Sequence, residues 1–201
     1  EPARLAIVHD LVVSDRSPRE LADRLGIASN LLAHHLDILD AAAVISRAVS
    51  SGDGRRKYVR LTTRALPFIT TKPRLPNGNM LFLCTRNSAR SQLAAALYTQ
   101  VTGRRATSAG TDPASHIHRG AIAAARRAGL HLDDIPPRAI GTVARNTTVV
   151  TVCDVAHEHL DHDDWWHWSI PDPAESGSAH DFDSVISQLR ERIDRFEGAP
   201  A

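Results

Sequence analysis

A proline-rich stretch in the middle of the chain limits the fold more than any other feature. Residues 65–79, ALPFITTKPRLPNGN, contain three prolines, one glycine and two asparagines. Proline disrupts helix interiors and central strands, so no long regular element is expected through this stretch. We therefore predict two domains, at residues 1–66 and 79–201, joined by a linker at residues 67–78.

The first predicted domain begins with two helices. An apolar segment at residues 3–13 indicates the first helix. In the second, Ser17 and Glu20 form a capping box, and Pro18 takes the first helical position, where its missing N–H costs nothing. Gly26 then ends this helix.

A third helix and a β-hairpin complete this domain. Residues 28–42 form the helix, with Ser29 as its predicted cap. Strand-like runs at residues 43–50 and 55–62 flank an Asp-Gly pair at 53–54, which is typical of a hairpin turn. This order predicts a winged helix-turn-helix, mainly α with a β-hairpin wing.

The charge distribution favours a polyanionic partner for the first domain. Residues 1–75 hold 12 basic and 8 acidic side chains, against 12 and 15 in the remainder. In this fold one helix enters the major groove of double-stranded DNA and the wing contacts phosphates. The predicted DNA-binding residues are Ser29, Asn30, Ala33, His34 and Asp37 in the third helix, with Arg55, Arg56, Lys57 and Arg60 in the wing. The alternative is a packing module with solvated charges.

Two segments of this domain resemble a known family. ELADRLGIASNLLAHHLDIL and GRRKYVRL are similar to the helix pair and wing of the ArsR family of bacterial repressors, over about residues 3–63. The resemblance implies a transcription regulator. The domain has no cysteine, so thiolate-based arsenite sensing within it is excluded. The proline linker replaces the family's long dimerisation helix, which leaves open how a homodimer would form.

Strands and helices alternate from residue 79 onward. NMLFLC is wholly apolar, as buried parallel strands are. Further strands are expected in ATSAG, TTVVTVCD and WWHWSI, and helices in SQLAAALYTQVTG, RGAIAAARRAGL and DFDSVISQLRERIDRF. The pattern predicts a doubly wound α/β domain with a four-stranded parallel sheet. HEHLDHDDWWHW, at residues 157–168, is interpreted as a solvated acidic loop without a metal site.

Cys84 ends the first of these strands, where a loop enters a helix. Such a loop presents backbone N–H groups and the positive end of the helix dipole to an oxyanion. There the pKa of a cysteine falls to about 3.5–7.5, which makes the thiolate a nucleophile. Arg90 offers a planar fork for two oxygens, and Ser91 can hydrogen-bond the thiolate. Between Cys84 and Arg90 stand Thr85, Arg86, Asn87, Ser88 and Ala89. We call residues 84–91 the anion loop.

The anion loop also carries a resemblance. LFLCTRNSARSQLAAAL is similar to the anion-binding loop of the low-molecular-weight protein tyrosine phosphatases and the related arsenate reductases, and the likeness extends through SAGTDPAS, VVTVCD and HWSIPDPA. It implies that Cys84 is the nucleophile and that Arg90 binds the oxyanion. It also implies that Asn87 props the loop, that Ser91 activates the thiolate and that Asp172 is the general acid. Arg86 stands where glycine or histidine is common.

The choice of substrate and reductant depends on residues that differ within that superfamily. No tyrosine follows the Asp-Pro pair in PDPAESGSAHDF, which favours arsenate over phosphotyrosine. The thioredoxin-coupled relatives use three cysteines; here Cys153 matches the second, but Leu160 stands where the third is expected. We therefore expect no bound cofactor and an external thiol, mycothiol or glutathione with glutaredoxin, rather than thioredoxin. Cys153 is either a redox partner of Cys84 or an inert strand-end residue.

Three hypotheses follow. The first is an arsenate reductase, using an external thiol or a thiol-redox protein, fused to a DNA-binding regulator. The second is a repressor whose second domain senses arsenate or phosphate, and the third is a protein tyrosine phosphatase. The chain has two cysteines, no membrane-length apolar run and no signal-peptide pattern, so a cytoplasmic protein is expected. The missing initial methionine suggests a start inside a longer gene product.

Overall fold

The computed structural model describes residues 1–68, 72–132, 136–160 and 162–197. Its N-terminal part, residues 1–68, consists of α1 (Pro2–Val13), α2 (Pro18–Leu25) and α3 (Ser29–Ala41), followed by β1 (Ile45–Val49) and β2 (Lys57–Leu61). The two strands pair antiparallel. Three helices and a hairpin are compatible with a winged helix-turn-helix. Their buried core includes Ile7, Leu11, Leu21, Leu32, Leu36 and Val59.

The helix ends in this part follow the local sequence at α2 but not at α3. Ser17 Oγ accepts from the Glu20 N–H at 3.3 Å, and Glu20 Oε2 accepts from the Ser17 N–H at 2.7 Å, which confirms the capping box. Gly26 ends α2 with a φ of 61°. The predicted cap at Ser29 is wrong, because Ala28 already takes the extended N-cap position and Ser29 is the first helical residue.

The C-terminal part, residues 72–197, is built on one parallel sheet. Its strands are β3 (Asn79–Cys84), β4 (Ala106–Gly110), β5 (Thr147–Thr151) and β6 (Trp166–His167). They lie in the order β4-β3-β5-β6. This confirms the predicted four-stranded parallel sheet and places β3 inside it, between β4 and β5. β6 is short and pairs with β5 through only two residues.

Four helices flank the sheet: α4 (Arg90–Thr102), α5 (Arg119–Arg127), α6 (Asp154–Leu160) and α7 (Ala179–Ile193). The main core cluster includes Phe82, Leu93, Leu97, Phe182 and Leu189, and a smaller one holds Leu83, Ala109 and Val149. None of the helices in the described ranges is long and apolar enough to cross a membrane.

The predicted solvated acidic loop at residues 157–168 is confirmed at residues 162–164, which are exposed and lie outside helix and strand, and is wrong at both ends of the segment. Its first residues belong to α6, and both His157 and His167 are buried. The two imidazole rings stack with centroids 4.1 Å apart. Asp161 lies outside the described residues. The prediction failed because the partners that satisfy these polar groups come from distant segments, which local sequence does not reveal.

The predicted linker is partly regular where the structure describes it. A 3₁₀ helix spans Thr63–Phe68 and includes Pro67, while residues 69–71 lie outside the described residues. Further on, the Glu197 N–H donates to the carbonyl oxygen of Pro73 at 2.9 Å. The linker therefore contacts the end of the C-terminal part. Residues 198–201, the end of the predicted second domain, also lie outside the described residues.

The N-terminal and C-terminal parts share a buried polar interface. Glu20 Oε1 lies 2.9 Å from His157 Nε2. Arg192 Nη2 donates to Asp15 Oδ2 at 2.6 Å, and both side chains are almost fully buried. These bonds hold the two parts together independently of the covalent linker.

Candidate active site

The anion loop begins where the interior strand β3 stops. Cys84 is 2% exposed at the carboxyl end of β3, and α4 begins at Arg90. Asn87 adopts a positive φ of 47°, which turns the chain back toward the cysteine. Its backbone N–H then donates to Cys84 Sγ at 3.2 Å. The chain thus curls around the sulfur, as an oxyanion-binding loop requires.

A neighbouring segment, residues 110–118, supports the outer side of the loop. Its backbone N–H groups donate to four loop carbonyls, those of Cys84, Thr85, Arg86 and Ser88, at 2.8–3.2 Å. Gly110 makes this approach possible, because a Cβ there would lie 2.5 Å from the Thr85 carbonyl oxygen. With these carbonyls held by residues 110–118, the loop is positioned to turn N–H groups toward an anion.

A serine and an asparagine fix the environment of the sulfur. Ser91 Oγ lies 3.0 Å from Cys84 Sγ, and Asn87 Nδ2 donates to Ser91 Oγ at 2.8 Å. Since the serine oxygen accepts from the amide, its own hydrogen remains available to donate to the sulfur. Asn87 Oδ1 in turn accepts from the Arg138 N–H at 2.9 Å. The predicted roles of Ser91 beside the thiolate and Asn87 as a prop both fit this geometry.

Arg90 and Asp172, which sequence reasoning gave separate roles, are paired. Arg90 Nη2 donates to Asp172 Oδ2 at 2.5 Å, and Arg90 Nη1 donates to the carbonyl oxygen of Ile170 at 3.0 Å. The Arg90 side chain is 7% exposed and that of Asp172 is 30% exposed. Asp172 Oδ1 accepts from the Ala174 N–H at 3.0 Å. The segment after β6 therefore sets the position of the guanidinium at the mouth of the loop.

Cys153 lies beside the anion loop. Leu83 accepts a 2.7 Å hydrogen bond from the Val152 N–H, so the chain around Cys153 runs next to that around Cys84. Thr85 Oγ1 is 3.3 Å from Cys153 Sγ. Burial raises the pKa of the Cys153 thiol, against the lowering effect of Arg90 nearby. Both cysteines are free thiols. A second thiol, that of Cys153, is thus held beside the anion loop in its neutral form.

Arg86 is the exposed member of the loop. Its guanidinium pairs with the carboxylate of Asp112, and the two side chains are 53% and 72% exposed. The Asp112 N–H also donates to the Thr85 carbonyl oxygen at 2.9 Å. A charged pair therefore lies at the loop surface, while Ser88 is half-buried and Ala89 is buried.

The DNA-binding residues predicted in α3 are all exposed: Ser29, Asn30, Ala33, His34 and Asp37. At 100° per residue, the last four share one face of the helix. The sequence of α3, SNLLAHHLDILDA, contains no lysine or arginine. Asp37 is paired with Arg47 at 2.6 Å. This face therefore offers polar and apolar groups but no cation from the helix itself.

The basic residues predicted in the wing are less uniform. Arg55 and Lys57 are exposed, whereas Arg56 and Arg60 are half-buried. Arg56 Nε lies 3.9 Å from a carboxylate oxygen of Glu158. Only part of the predicted phosphate-binding charge is therefore directed to solvent.

The turn of the wing contacts α6. Asp154 Oδ2 accepts from the Ser51 N–H at 2.8 Å, and Glu158 Oε2 accepts from the Asp53 N–H at 2.7 Å. Ser50 Oγ donates to Glu158 Oε1 at 2.6 Å. Asp154 and Glu158, which follow Cys153 closely in sequence, thus bind the hairpin turn through its backbone N–H groups.

Sequence reasoning missed Gly110 and Arg138 at this site. Gly110 ends a strand of small residues, ATSAG, and that composition beside a predicted loop is the signal that could have found it. Arg138 acts through its backbone N–H, so no side-chain pattern marks it.

Comparison with known proteins agrees with this geometry. Residues 79–199 match the family described as low molecular weight phosphotyrosine protein phosphatase. A solved structure described as "An arsenate reductase in the phosphate binding state" is 25% identical with a TM-score of 0.50, over 58% of this chain and 94% of that chain.

Two further solved structures, one of them described as a tyrosine phosphatase, share the fold. Wzb from Escherichia coli K30, solved with sulphate, is 21% identical with a TM-score of 0.51, over 58% of this chain and 94% of that chain. Wzb from Vibrio vulnificus, solved with benzylphosphonate, is 14% identical with a TM-score of 0.52 and the same coverage. No curated protein matches the chain significantly. Since the family match spans more than half of the chain, the protein belongs to the low molecular weight phosphotyrosine protein phosphatase family, as an enzyme of cysteine-based oxyanion chemistry.

Proposed function

We propose that the protein is an arsenate reductase that uses an external thiol as reductant. The observation that carries this proposal is the second thiol, Cys153, bonded to the anion loop through Thr85 Oγ1 at 3.3 Å. Phosphate ester hydrolysis needs one cysteine, whereas reduction of a metalloid consumes two thiols. The similarity to a solved arsenate reductase at 25% identity supports the same choice.

The first step is attack by the Cys84 thiolate on arsenic. A sulfur–arsenic bond forms and an arsenic–oxygen bond breaks, and the oxygen leaves as water with a proton from Asp172. Ser91 and the Asn87 N–H stabilise the thiolate beforehand, at 3.0 and 3.2 Å from the sulfur. When the oxyanion takes over the fork of Arg90, the Asp172 oxygen that now accepts from Arg90 is released, takes up a proton from solvent and delivers it to the leaving oxygen.

The second step reduces arsenic. A second thiolate attacks Cys84 Sγ, so a disulfide forms and the sulfur–arsenic bond breaks. Its electron pair stays on arsenic, which goes from As(V) to As(III) and leaves as arsenite. The attacking thiol is either Cys153 or mycothiol or glutathione. External thiol, with glutaredoxin in the case of glutathione, then reduces the disulfide by exchange. Leu160 stands where the three-cysteine relatives carry their third thiol.

Arsenite release tests the reaction. Wild type, Cys84→Ser and Cys153→Ser are incubated with arsenate and either mycothiol or glutathione plus glutaredoxin, with para-nitrophenyl phosphate in parallel. The proposal expects arsenite from wild type and none from Cys84→Ser. Activity retained in Cys153→Ser assigns the second attack to the external thiol, and its loss assigns it to Cys153. Ester cleavage without arsenite would instead support the tyrosine phosphatase alternative.

We propose in addition that the N-terminal part binds double-stranded DNA and regulates transcription. The supporting observation is the exposed face of α3 with Asn30, Ala33, His34 and Asp37. Fluorescence anisotropy with DNA from upstream of the coding region, for wild type and Asn30→Ala/His34→Ala, tests it. Equal binding by the two proteins would refute the role of α3. Adding arsenate or phosphate to the same titration tests the alternative that the C-terminal part is a sensor.

A further inference from the structure

A segment of the N-terminal part covers the edge of the parallel sheet. β6 is the edge strand, and residues 14–16 lie along it. The Asp15 N–H donates to the His167 carbonyl oxygen at 2.7 Å, and Ser14 Oγ accepts from the His167 N–H at 2.8 Å. Arg16 Nη1 donates to the Trp165 carbonyl oxygen at 3.2 Å. The turn between α1 and α2 thus takes the place of a further strand.

The Asp15 side chain reaches beyond β6. It is fully buried, and its Oδ2 accepts from the Ser169 N–H at 2.9 Å and from Arg192 Nη2 at 2.6 Å. The last bond between β5 and this segment runs from the Trp168 N–H to the Thr151 carbonyl oxygen at 2.8 Å. Beyond Trp168 the chain leaves the sheet. The next backbone N–H, that of Ser169, is bound by Asp15 instead of by a strand.

That peptide lies next to the group that positions Arg90. Ser169 is followed by Ile170, whose carbonyl oxygen accepts from Arg90 Nη1 at 3.0 Å. Two residues later, Asp172 Oδ2 accepts from Arg90 Nη2, the other terminal nitrogen of the same guanidinium, at 2.5 Å. Hydrogen bonds and the backbone of Ser169 and Ile170 therefore connect Asp15 to the proposed oxyanion-binding arginine and, two residues further on, to the proposed acid.

We propose that Asp15 is a positioning residue of the active site, supplied by the N-terminal part. It touches neither substrate nor sulfur; it holds the peptide at Ser169, so that Arg90 and Asp172 keep their geometry. The inference rests on the proposed function for the roles of Arg90 and Asp172. It implies that the α1–α2 turn completes the catalytic site, in addition to any role of the N-terminal part with DNA.

The test uses two neutral double variants, since removing Asp15 alone would leave the buried Arg192 charge unpaired. In Asp15→Asn/Arg192→Met an amide oxygen can still accept from Ser169, whereas Asp15→Ala/Arg192→Met removes the acceptor. We expect kcat/KM of the alanine variant to be about tenfold lower than that of the asparagine variant. We also expect inorganic phosphate to bind the alanine variant about tenfold more weakly, because phosphate is held by Arg90.

Asp10→Asn is the matched control. Asp10 is also a largely buried carboxylate of the N-terminal part, paired with Arg16 and Arg24 at 3.2 and 3.1 Å, but it has no bond to Ser169. Its kcat/KM and phosphate affinity are expected to stay at the wild-type value. Equal values for the two double variants, or an equal loss in Asp10→Asn, would overturn the inference.

Phosphate binding separates this inference from the reductase proposal. A wild type that releases no arsenite refutes the reductase, yet the difference in phosphate affinity between the double variants still tests Asp15. If a variant fails to fold, amide hydrogen exchange of the wild type decides. Saturating phosphate should slow exchange at Ser169 and at residues 14–16 together, and no change at 14–16 would overturn the role of Asp15.

Discussion

The anion loop and the interface between the N-terminal and C-terminal parts are both buried and polar, yet they are assembled differently. The anion loop, residues 84–91, is one contiguous stretch whose hydrogen bonds converge on Cys84 Sγ. The interface joins distant residues: Glu20 pairs with His157, and Asp15 with Arg192. One buried polar cluster thus directs its bonds at a single sulfur, whereas the other joins charged and polar groups from segments that are distant in sequence.

Two buried histidines at the interface, His157 and His167, have a polar atom close to each ring nitrogen. His157 Nδ1 and His167 Nδ1 lie 3.1 and 2.9 Å from the same hydroxyl, Thr151 Oγ1. Their Nε2 atoms lie 2.9 and 3.0 Å from Glu20 and Asp154. Each ring nitrogen therefore has a polar atom within hydrogen-bond distance, and the contacts of these two histidines should affect stability more than chemistry.

The largest expected effect comes from the centre of the anion loop. Cys84→Ser should lower kcat by about 10⁴-fold or more, because the nucleophile is lost. Its free energy of unfolding should change by no more than about 1 kcal/mol, since serine is nearly isosteric. Steady-state assays and urea unfolding of the same preparation measure both. A large decrease in the free energy of unfolding would show that Cys84 also contributes substantially to the stability of the fold.

Acid should destabilise the interface. Burial raises the pKa of Glu20 and of Asp154, but their bonds to His157 and His167 outweigh it and bring each pKa to about 2. Both folded pKa values lie below the ordinary values of 4.5 and 3.8, so this stability is present above those values and is lost as pH falls toward 2. Burial also lowers the pKa of His167. Below pH 6.5 the unfolded chain therefore binds a proton that the folded chain resists, and the free energy of unfolding falls further.

The expected total loss in the free energy of unfolding from the two carboxylates is about 5 kcal/mol between pH 6.5 and pH 2. Urea unfolding at a series of pH values checks it. Glu20→Gln serves as the control, and its profile should be flatter than that of wild type. Parallel profiles for the two proteins would contradict the assignment of the pH dependence to this pair.

Removing a carboxylate of α6 tests the interface at neutral pH. Glu158 accepts from Ser50, the Asp53 N–H and, at 3.1 Å, the Tyr58 hydroxyl. Glu158→Ala should therefore lower the free energy of unfolding by about 2 kcal/mol. Glu158→Gln should recover part of it. Phosphate affinity should stay unchanged, and a large loss of affinity would show that the two clusters are coupled through α6.

The smallest expected effect is at the loop surface. Arg86→Gly removes an exposed ion pair with Asp112, and such pairs contribute at most about 1 kcal/mol. The change in kcat/KM for arsenate or an aryl phosphate should stay below about fivefold and should shrink with added salt. Asp112→Ala is the matched variant. A decrease of kcat/KM by a hundredfold or more would show that Arg86 takes part in binding the anion.

Much of the fold was predictable because its signals are local. The capping box at Ser17 and Glu20, the hairpin turn, and the apolar strand before Cys84 all depend on residues within a few positions of one another. The same holds for Ser91 and Asn87, which lie within seven residues of the cysteine they contact. Such arrangements follow from backbone geometry over one turn of chain.

The parts of the fold and of the site that were not predicted depend on residues that are far apart in the sequence and meet only in the folded chain. The polar composition of residues 157–168 predicted a solvated loop, but Glu20 and Thr151 satisfy the histidines there and allow their burial. Likewise, neither Arg90 nor Asp172 carries a sequence signal that the two would pair. A polar side chain can be buried only if a partner reaches it, and that partner can lie anywhere in the chain.

Local patterns in the sequence were enough to predict the parallel sheet, the anion loop at Cys84 and the helices and hairpin that precede them. That the α1–α2 turn covers β6, that Asp15 accepts from the Ser169 N–H and that the β1–β2 turn contacts α6 became visible only in the folded structure. Periodicity and capping act between residues a few positions apart, whereas the pairing of buried charges depends on how whole helices and strands pack.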